Sequence, residues 1–138
     1  MKRAFFQSLE GCPEFTEFDL DELSRELGFD SRGLIPVITQ DASSKEVLML
    51  AWMNKAAFSE TLSTGYVTYW SRSRNELWVK GATSGHTQEL VSLSIDCDGD
   101  AILCQVNQVG AACHTGRKNC FYLRVDREQN KVQIISSN

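Results

Sequence analysis

The sequence predicts one α+β domain that is built mainly on antiparallel sheet and carries two short helices. Three observations predict this fold class. Seven or eight short runs of the 138-residue chain are apolar, or alternate between apolar and polar residues, as strands do. One segment spaces its leucines as a helix does, and a second is bounded by residues that start and end helices. Most connections have hairpin length, which favours antiparallel pairing because parallel neighbours need crossovers of about a dozen residues or more.

The two helical segments have start and stop signals. The first covers residues 18–29, where leucines recur at helical spacing, Asp19 can cap the start and a glycine suits the end. The second covers residues 54–63, with Asn54 as its capping residue and Gly65 just beyond it.

The strands are separated by clusters of turn-forming residues. Residues 41–44 predict a turn between the first two strands, and residues 72–75 predict the turn of a hairpin. The segment 88–95 alternates along its length, which indicates a strand with two different faces. The predicted strands, in chain order, are 34–39, 46–53, 66–71, 77–80, 88–95, 101–105, 121–126 and 132–135.

The chain divides into two regions at the point where strand patterns begin, after Gly33. Residues 1–32 form an N-terminal extension with a short helix, and residues 33–138 form the main domain. The chain has 14 Lys and Arg against 18 Asp and Glu, a net charge of −4. The first 33 residues hold four basic and eight acidic side chains, so the rest is neutral overall.

The composition excludes several classes of protein. A mildly acidic chain lacks the basic footprint of a bulk nucleic-acid binder. No apolar run approaches the roughly 20 residues that a membrane span needs. The start is basic, but Glu10 and Glu14 follow where a secretory signal would need its apolar stretch. We therefore expect a cytoplasmic protein with neither a nucleic-acid nor a membrane partner.

The five cysteines, an odd number without a secretory signal, indicate metal binding or catalysis in a reduced compartment. Cys104 shares a face with apolar residues and is predicted to be buried, and Cys12 has no partner pattern. Cys97, Cys113 and Cys120 lie in polar, loop-like segments. Three thiolates can hold Zn²⁺ and leave a fourth position open, as catalytic sites do. The alternative is that they are small buried apolar residues.

An acidic turn surrounds the first of these cysteines. Asp96, Asp98 and Asp100 alternate with Cys97 and Gly99, so an extended backbone would project three carboxylates to one side. Carboxylate oxygens suit hard cations such as Mg²⁺ or Ca²⁺. A solvated acidic turn is the alternative. An EF-hand is excluded because no Glu stands at the twelfth position.

A second cluster combines basic side chains, hydroxyls and glycines over residues 70–74 and 78–86. Arginine and lysine are the usual contacts to phosphate, and glycines let backbone amides approach an anion closely. The alternative is a pair of solvated hairpin tips. Walker and Rossmann patterns are absent, so any phosphate site is of another kind.

Taken together, these motifs resemble the phosphoribosyl-AMP cyclohydrolase family of histidine biosynthesis. The resemblance covers roughly residues 33–124 and includes none of the N-terminal 30 residues. The motifs that carry it are Gly33-Leu34-Ile35-Pro36-Val37, Ala51-Trp52-Met53-Asn54, Trp70-Ser71-Arg72-Ser73-Arg74, Leu77-Trp78, Lys80-Gly81, Thr83-Ser84-Gly85-His86, Asp96-Cys97-Asp98-Gly99-Asp100, Ala112-Cys113-His114-Thr115-Gly116 and Asn119-Cys120-Phe121-Tyr122.

The resemblance implies an enzyme that opens the adenine ring of 1-(5-phosphoribosyl)-AMP by adding zinc-activated water across the N1–C6 bond. It implies an intertwined homodimer with shared zinc sites, each using Cys97 from one subunit and Cys113 with Cys120 from the other. It further implies a Mg²⁺ site at Asp96, Asp98 and Asp100. The substrate carries phosphate at both ends, which gives a binding role to Arg72, Ser73, Arg74, Lys80, Thr83 and Ser84.

The two histidines are the candidate catalytic side chains. Three thiolates leave zinc with a net negative charge, so it should acidify water less than a zinc held by three histidines, and an added base becomes useful. His114, next to Cys113, is the first candidate for that base, and a zinc ligand is its alternative role. His86 is the other possible zinc ligand or base, and it is expected to orient the substrate within the glycine-rich turn.

Three rival classes share parts of this pattern. A zinc-stabilised binding module would close the metal site with the three cysteines and a histidine. A thiol redox protein would normally have Cys-x-x-Cys, which this sequence lacks. A zinc nucleobase deaminase also attacks a purine C6, but its His-x-Glu and Pro-Cys-x-x-Cys signatures are missing.

Overall fold

The fold is described for residues 3–135 by a computed structural model. Eight strands and three helices lie in this part of the chain. In chain order they are α1 (Ala4–Leu9), α2 (Leu20–Glu26), β1 (Ile35–Asp41), β2 (Val47–Met53), α3 (Lys55–Thr64), β3 (Thr68–Ser71), β4 (Glu76–Val79), β5 (Gln88–Ile95), β6 (Ile102–Gln108), β7 (Leu123–Asp126) and β8 (Lys131–Ile134). The predicted α+β class is confirmed.

The main sheet has four strands in the order β2-β1-β6-β5, and β3-β4 and β7-β8 form separate two-stranded hairpins. All pairings are antiparallel except β1 with β6, where Val37 lies opposite Ile102. This parallel pair is possible because the chain between the two strands, which includes α3 and the β3-β4 hairpin, is far longer than a minimal crossover. The mainly antiparallel sheet is therefore confirmed, with one parallel exception.

The helices differ from the prediction at the N-terminus. The sequence predicts two, and the structure adds α1, a six-residue helix that buries only Phe6. So short a helix has little intrinsic stability, and its contacts with the main domain stabilise it. Helix α2 ends before the predicted residue 29, because Leu27 leaves the helical conformation and enters the core. Asp19 occupies the N-cap position, but its side chain makes no capping hydrogen bond.

Helix α3 forms where it was predicted. The Asn54 side chain accepts a 2.8 Å hydrogen bond from the Ala57 amide, and Gly65 closes the C-terminus in the left-handed conformation, with φ 79°. The helix buries Ala57, Phe58 and Thr61 against the strands. None of the helices in residues 3–135 is long and apolar enough to cross a membrane.

The core lies between the main sheet, α3 and the β3-β4 hairpin. Its largest fully buried side chains include Tyr69, Ile35, Leu48, Met53 and Ile102. The C-terminal hairpin contributes nothing to this core, because every residue of β7 and β8 is exposed. The packing therefore holds the β3-β4 hairpin firmly against the sheet and leaves the β7-β8 hairpin uncovered.

The N-terminal extension packs against the turn between β5 and β6. The Gly28 amide donates a 2.7 Å hydrogen bond to the carbonyl of Gly99. Gly99 has φ +77°, and a Cβ at this position would lie 2.2 Å from the Phe6 ring. The Arg3 guanidinium donates to the Asp98 carbonyl at 3.4 Å. The extension thus supports the turn that carries the predicted Mg²⁺ ligands.

Candidate active site

A large cavity of about 640 Å³ opens beside strand β4 and the loop that follows it. Its volume lies within the range typical of small-molecule sites. It brings together predicted residues from three separate motifs, and the first and last of these residues, Arg74 and His114, are 40 positions apart in the sequence. These residues are Arg74, Lys80, Thr83, Ser84, His86, Cys113 and His114.

A second cavity of about 560 Å³ lies between strand β2 and the β3-β4 hairpin. Its lining is aromatic and basic: it includes three tryptophans together with Arg72, Ser73 and Arg74. The Arg72 guanidinium lies 4.9 Å from the ring centroid of Trp52, a cation–π contact. The predicted phosphate contacts therefore divide between two cavities, and Arg74 and Trp78 line both.

The hairpin turn that presents these arginines follows from its sequence. Asn75 adopts a positive φ of 56°, which asparagine tolerates better than most residues. Its amide donates to the Ser71 carbonyl at 2.8 Å, and the Arg74 amide donates to the Ser71 hydroxyl at 3.2 Å. The turn residues 72–74 are exposed, so their side chains face the cavities without competing core contacts.

The loop after β4 depends on glycine. Gly81 has φ +79°, and a Cβ there would lie 2.3 Å from the carbonyl carbon of His86. The Gly85 amide donates to the Gly81 carbonyl at 2.8 Å, and the His86 amide donates to the Ser84 hydroxyl at 3.2 Å. This tight loop holds Thr83, Ser84 and His86 on the wall of the large cavity.

The His86 ring rests against Gly110, a residue that sequence reasoning missed. A Cβ at Gly110 would lie 2.5 Å from Cδ2 of His86, and the glycine has φ +67°. Only glycine fits this position without displacing the imidazole. The one signal in the sequence is that Gly110 follows a strand and precedes a cysteine motif. No local pattern predicts that this residue lies beside His86.

The Cys113 and Cys120 thiols lie close enough within one chain for each to change the pKa of the other. The Cys113 amide donates to the Arg117 carbonyl at 3.1 Å, which closes the loop between them, and the Cys120 amide donates to the Leu48 carbonyl at 2.8 Å. The Thr115 hydroxyl donates to Cys113 Sγ at 3.0 Å. These contacts fix both sulfur atoms relative to the sheet.

The two thiols differ in acidity. Burial opposes ionisation of Cys113, but hydrogen bonds from Thr115 and Cys120 and the charge of Arg117 outweigh it, so the pKa of Cys113 is lowered. Partial burial and the neighbouring Cys113 raise the pKa of Cys120 to about 11. Such a pair of thiols offers two soft ligands to a metal such as Zn²⁺.

The acidic turn brings its three carboxylates together. The ligand oxygens of Asp96, Asp98 and Asp100 lie within 4.8 Å of one another. One Asp96 oxygen also accepts hydrogen bonds from the amides of Asp100 and Ala101, at 3.0 and 3.2 Å. The hydrogen bond with Asp98, burial and the nearby Asp96 raise the pKa of Asp100 to about 6. The crowding of like charges suits a hard divalent cation.

Cys97 is exposed and does not join the other two cysteines in the same chain. Among residues 3–135, only the three aspartates form a group of three or more possible metal ligands. Cys97 instead lines a small cavity of about 370 Å³ together with residues of the N-terminal extension, including Phe6 and Leu23. The three predicted zinc ligands thus occupy two separate places in one chain.

Fold and cavity together define a small α+β enzyme whose cleft combines histidines, a thiol pair, hydroxyls and basic side chains. The family model of phosphoribosyl-AMP cyclohydrolase matches residues 49–122, which include both cavities' principal side chains and both groups of possible metal ligands. The chain belongs to the phosphoribosyl-AMP cyclohydrolase family and is a hydrolase.

Curated relatives agree with the family model. The phosphoribosyl-AMP cyclohydrolase of Hydrogenovibrio crunogenus is 53% identical over 127 residues, which is 92% of this chain and 86% of the relative. That of Roseobacter denitrificans is 62% identical over 110 residues, 80% of this chain and 85% of the relative. That of Hyphomonas neptunium is 61% identical over 98 residues, 71% of this chain and 75% of the relative. The family resemblance of the sequence motifs is therefore confirmed.

Proposed function

We propose that this chain hydrolyses the N1–C6 bond of the adenine ring of 1-(5-phosphoribosyl)-AMP, the cyclohydrolase step of histidine biosynthesis. The product is the formimino-aminoimidazole carboxamide ribotide. The observation that carries the proposal is the large cavity, where His86, His114 and Cys113 face one space beside Arg74. Membership of the phosphoribosyl-AMP cyclohydrolase family supports the same reaction.

The substrate carries phosphate at both ends, and the two cavities suit such a molecule. Thr83 and Ser84 line the large cavity, while Arg72 and Ser73 line the second. Arg74 lines both, so one nucleotide can extend from one cavity to the other past this side chain. We assign one phosphate to each cavity, held by arginine forks and hydroxyl donors.

The donor set fits a shared zinc ion. Cys113 and Cys120 supply two soft ligands from one subunit, and Cys97 of the partner subunit supplies the third. The exposure of Cys97 and its separation from the pair within one chain support this arrangement. When bound with an open fourth position, zinc supplies Lewis-acid activation of water.

His114 acts as the general base in this proposal. It adjoins Cys113 in the chain and faces the large cavity. An unprotonated ring nitrogen of His114 accepts a proton from the water that adds to C6. The N1–C6 bond then breaks, and N1 receives a proton as it becomes part of the amidine group. Substitution at N1 makes the ring cationic, so C6 is already electrophilic. His86, which lines the same cavity, orients the substrate.

The three aspartates of the acidic turn are proposed to hold Mg²⁺. Their oxygens are close enough for one cation, and the hydrogen bond with Asp98, burial and the charge of the neighbouring carboxylates raise the pKa of Asp100. The turn adjoins Cys97, so a cation there would also steady the segment that carries the third zinc ligand. A Mg²⁺ held there would either contact a substrate phosphate or order the attacking water.

A homodimer completes this site. The β7-β8 hairpin presents Leu123, Val125, Val132 and Ile134 on one face, since Leu123 pairs with Ile134 and Val125 pairs with Val132. All four are at least 59% exposed in the isolated chain. A second copy of this chain is the proposed occupant of this face, because the zinc site requires a partner that supplies Cys97.

The purified protein should convert phosphoribosyl-AMP with a change in purine absorbance, and a zinc chelator should abolish this turnover reversibly. Cys113→Ser should lose zinc and activity, whereas the matched control Cys12→Ser, at an exposed cysteine outside the cavities, should keep both. Zinc-replete protein without turnover would refute the function. If the chelator also unfolded such inactive protein, measured by circular dichroism, a structural zinc module would be favoured.

The role of His114 has its own test. His114→Asn should bind zinc as the native chain does but lose most of its turnover, because asparagine cannot accept a proton near neutral pH. Near-normal turnover with zinc bound would contradict the base assignment. Loss of zinc in this variant would instead assign His114 as a metal ligand.

A further inference from the structure

Lys80 is a buried cation beside the thiol pair. It follows β4, its amide donates to the Val67 carbonyl at 3.1 Å, and the residue is only 8% exposed. Its Nζ donates a 2.6 Å hydrogen bond to the carbonyl of Ala112, the residue before Cys113. Nζ also lies 5.4 Å from the ring centroid of Trp78. The side chain is therefore held at the base of the large cavity, facing the cysteine loop.

The charge of this buried ammonium requires compensation, because moving a lone charge out of water is costly. Among residues 3–135, the acidic groups whose charges act on Lys80 are the thiols of Cys120 and Cys113. Burial lowers the pKa of Lys80, and these two groups oppose that effect. Both thiols are therefore near enough for thiolate charge on them to stabilise the ammonium of Lys80.

We propose that Lys80 is a positioning residue for the half of the zinc site formed by Cys113 and Cys120. Its ammonium fixes the loop through the Ala112 carbonyl and balances the charge of the thiolates that hold the metal. This inference rests on the zinc site of the proposed function. It gives Lys80 a different role from the phosphate contact that the sequence predicts, because the residue is buried and its Nζ donates to the carbonyl beside Cys113.

Charge balance explains why such a residue is useful. Zinc with three thiolates has one net negative charge, which a low-polarity site does not readily accommodate. The positive charge of Lys80 neutralises it without occupying a coordination position. Partners of metal ligands typically change metal affinity by about 10–100-fold when removed. Lys80 should therefore control how tightly zinc is held, more than how substrate phosphate is bound.

The test compares zinc affinity in the full-length protein by competition with a chromogenic chelator. Lys80→Met keeps the length of the side chain but removes the charge and the donor, and we expect zinc binding weaker by about 10–100-fold. Lys80→Arg keeps a charged donor and should restore affinity to within about tenfold of the native chain. Lys55→Met, at an exposed lysine of α3, is the matched control and should bind zinc normally.

Two further measurements keep the outcomes distinct. With zinc saturating, Lys80→Met should keep the native KM for phosphoribosyl-AMP. A raised KM with native zinc affinity would overturn the inference and assign Lys80 to phosphate.

A second variant covers the case in which Lys80→Met does not fold. Lys80→Gln keeps a donor for the Ala112 carbonyl, so it should fold and bind zinc more weakly than the native chain. Native zinc affinity in Lys80→Gln would overturn the inference. If the native chain bound no zinc, or if Cys113→Ser did not lower its zinc content, the zinc site of the proposed function would be refuted, whatever the result for Lys80.

Discussion

The hydroxyl of Tyr69 donates a 2.6 Å hydrogen bond to Oε1 of Gln88, and both side chains are fully buried. The same hydroxyl lies 2.7 Å from Thr39 Oγ1, and Gln88 Nε2 donates to Gln108 at 2.9 Å. This chain of polar groups joins the hairpin strand β3 to three strands of the main sheet. The Tyr69 ring also lies 5.3 Å from Trp78, which lines both cavities. These hydrogen bonds and the ring contact thus hold the β3-β4 hairpin, which presents the arginines, against the main sheet.

Removal of the Tyr69 hydroxyl should destabilise the protein. Tyr69→Phe leaves Gln88 Oε1 and Thr39 Oγ1 without their buried partner, and we expect a loss of about 1–3 kcal/mol in the free energy of unfolding. Urea denaturation measures it. The control is Tyr66→Phe, at a residue that is 43% exposed, which should change stability little. Equal effects in the two variants would contradict a special role for the buried chain.

A methyl group at Gly110 should displace His86. Gly110→Ala places a Cβ 2.5 Å from the imidazole at a residue with φ +67°, so we expect a loss of kcat with zinc content retained. Gly65→Ala is the matched control, since its φ of +79° carries a similar backbone cost of about 1–2 kcal/mol but its Cβ meets nothing within 4 Å. Comparable losses of kcat would mean that backbone strain, rather than His86, is responsible.

Subunit mixing should reveal whether zinc ligands come from two chains. Cys97→Ser and Cys113→Ser homodimers should each lack intact zinc sites. When the two variants are unfolded and refolded together, each mixed dimer regains one intact site, so about a quarter of native sites should return. Zinc content and turnover should both recover to this level. No recovery, with mixed dimers verified by mass spectrometry, would exclude the shared arrangement.

Charge on the exposed face of the C-terminal hairpin should disrupt the homodimer. Val132→Lys puts an ammonium on the apolar face, where its desolvation in an interface is costly, so monomers should appear in light scattering. Gln133→Lys introduces the same residue at the next position of β8, on the opposite face, and should leave the dimer intact. A dimer in both variants would place the interface elsewhere.

Cys104 should resist alkylation in the folded protein. Burial raises the pKa of its thiol to about 12, so at pH 8.5 almost none is in the reactive thiolate form, and reagent access is blocked as well. Cys12 is exposed and should react under the same conditions. Peptide mass spectrometry after iodoacetamide treatment measures both, and in urea both should be labelled. As pH rises towards the pKa of about 12, labelling of Cys104 should increase. Fast labelling of folded Cys104 at pH 8.5 would contradict this.

The strand and helix pattern was largely predictable because it depends on local signals. Asn54 and Gly65 define α3 through capping groups that lie within or beside the helix. Helix α1 was missed because six residues with one buried side chain have no clear period, and its stability comes from the distant turn at Gly99. The parallel pairing of β1 with β6 could not be predicted either, because no local signal in the sequence selects between strand partners that are far apart in the chain.

The candidate residues were recognisable one motif at a time, but their grouping was not. The sequence alone determined the residue types, the cysteine and aspartate spacing and the family resemblance, because these are properties of short segments. Only the tertiary structure placed Arg72 on one cavity and Arg74 on both. It also packed Gly110 against His86 and brought Lys80 Nζ within hydrogen-bond distance of the Ala112 carbonyl. The last two relationships join residues 24 and 32 positions apart, and only packing of the whole chain determines such contacts.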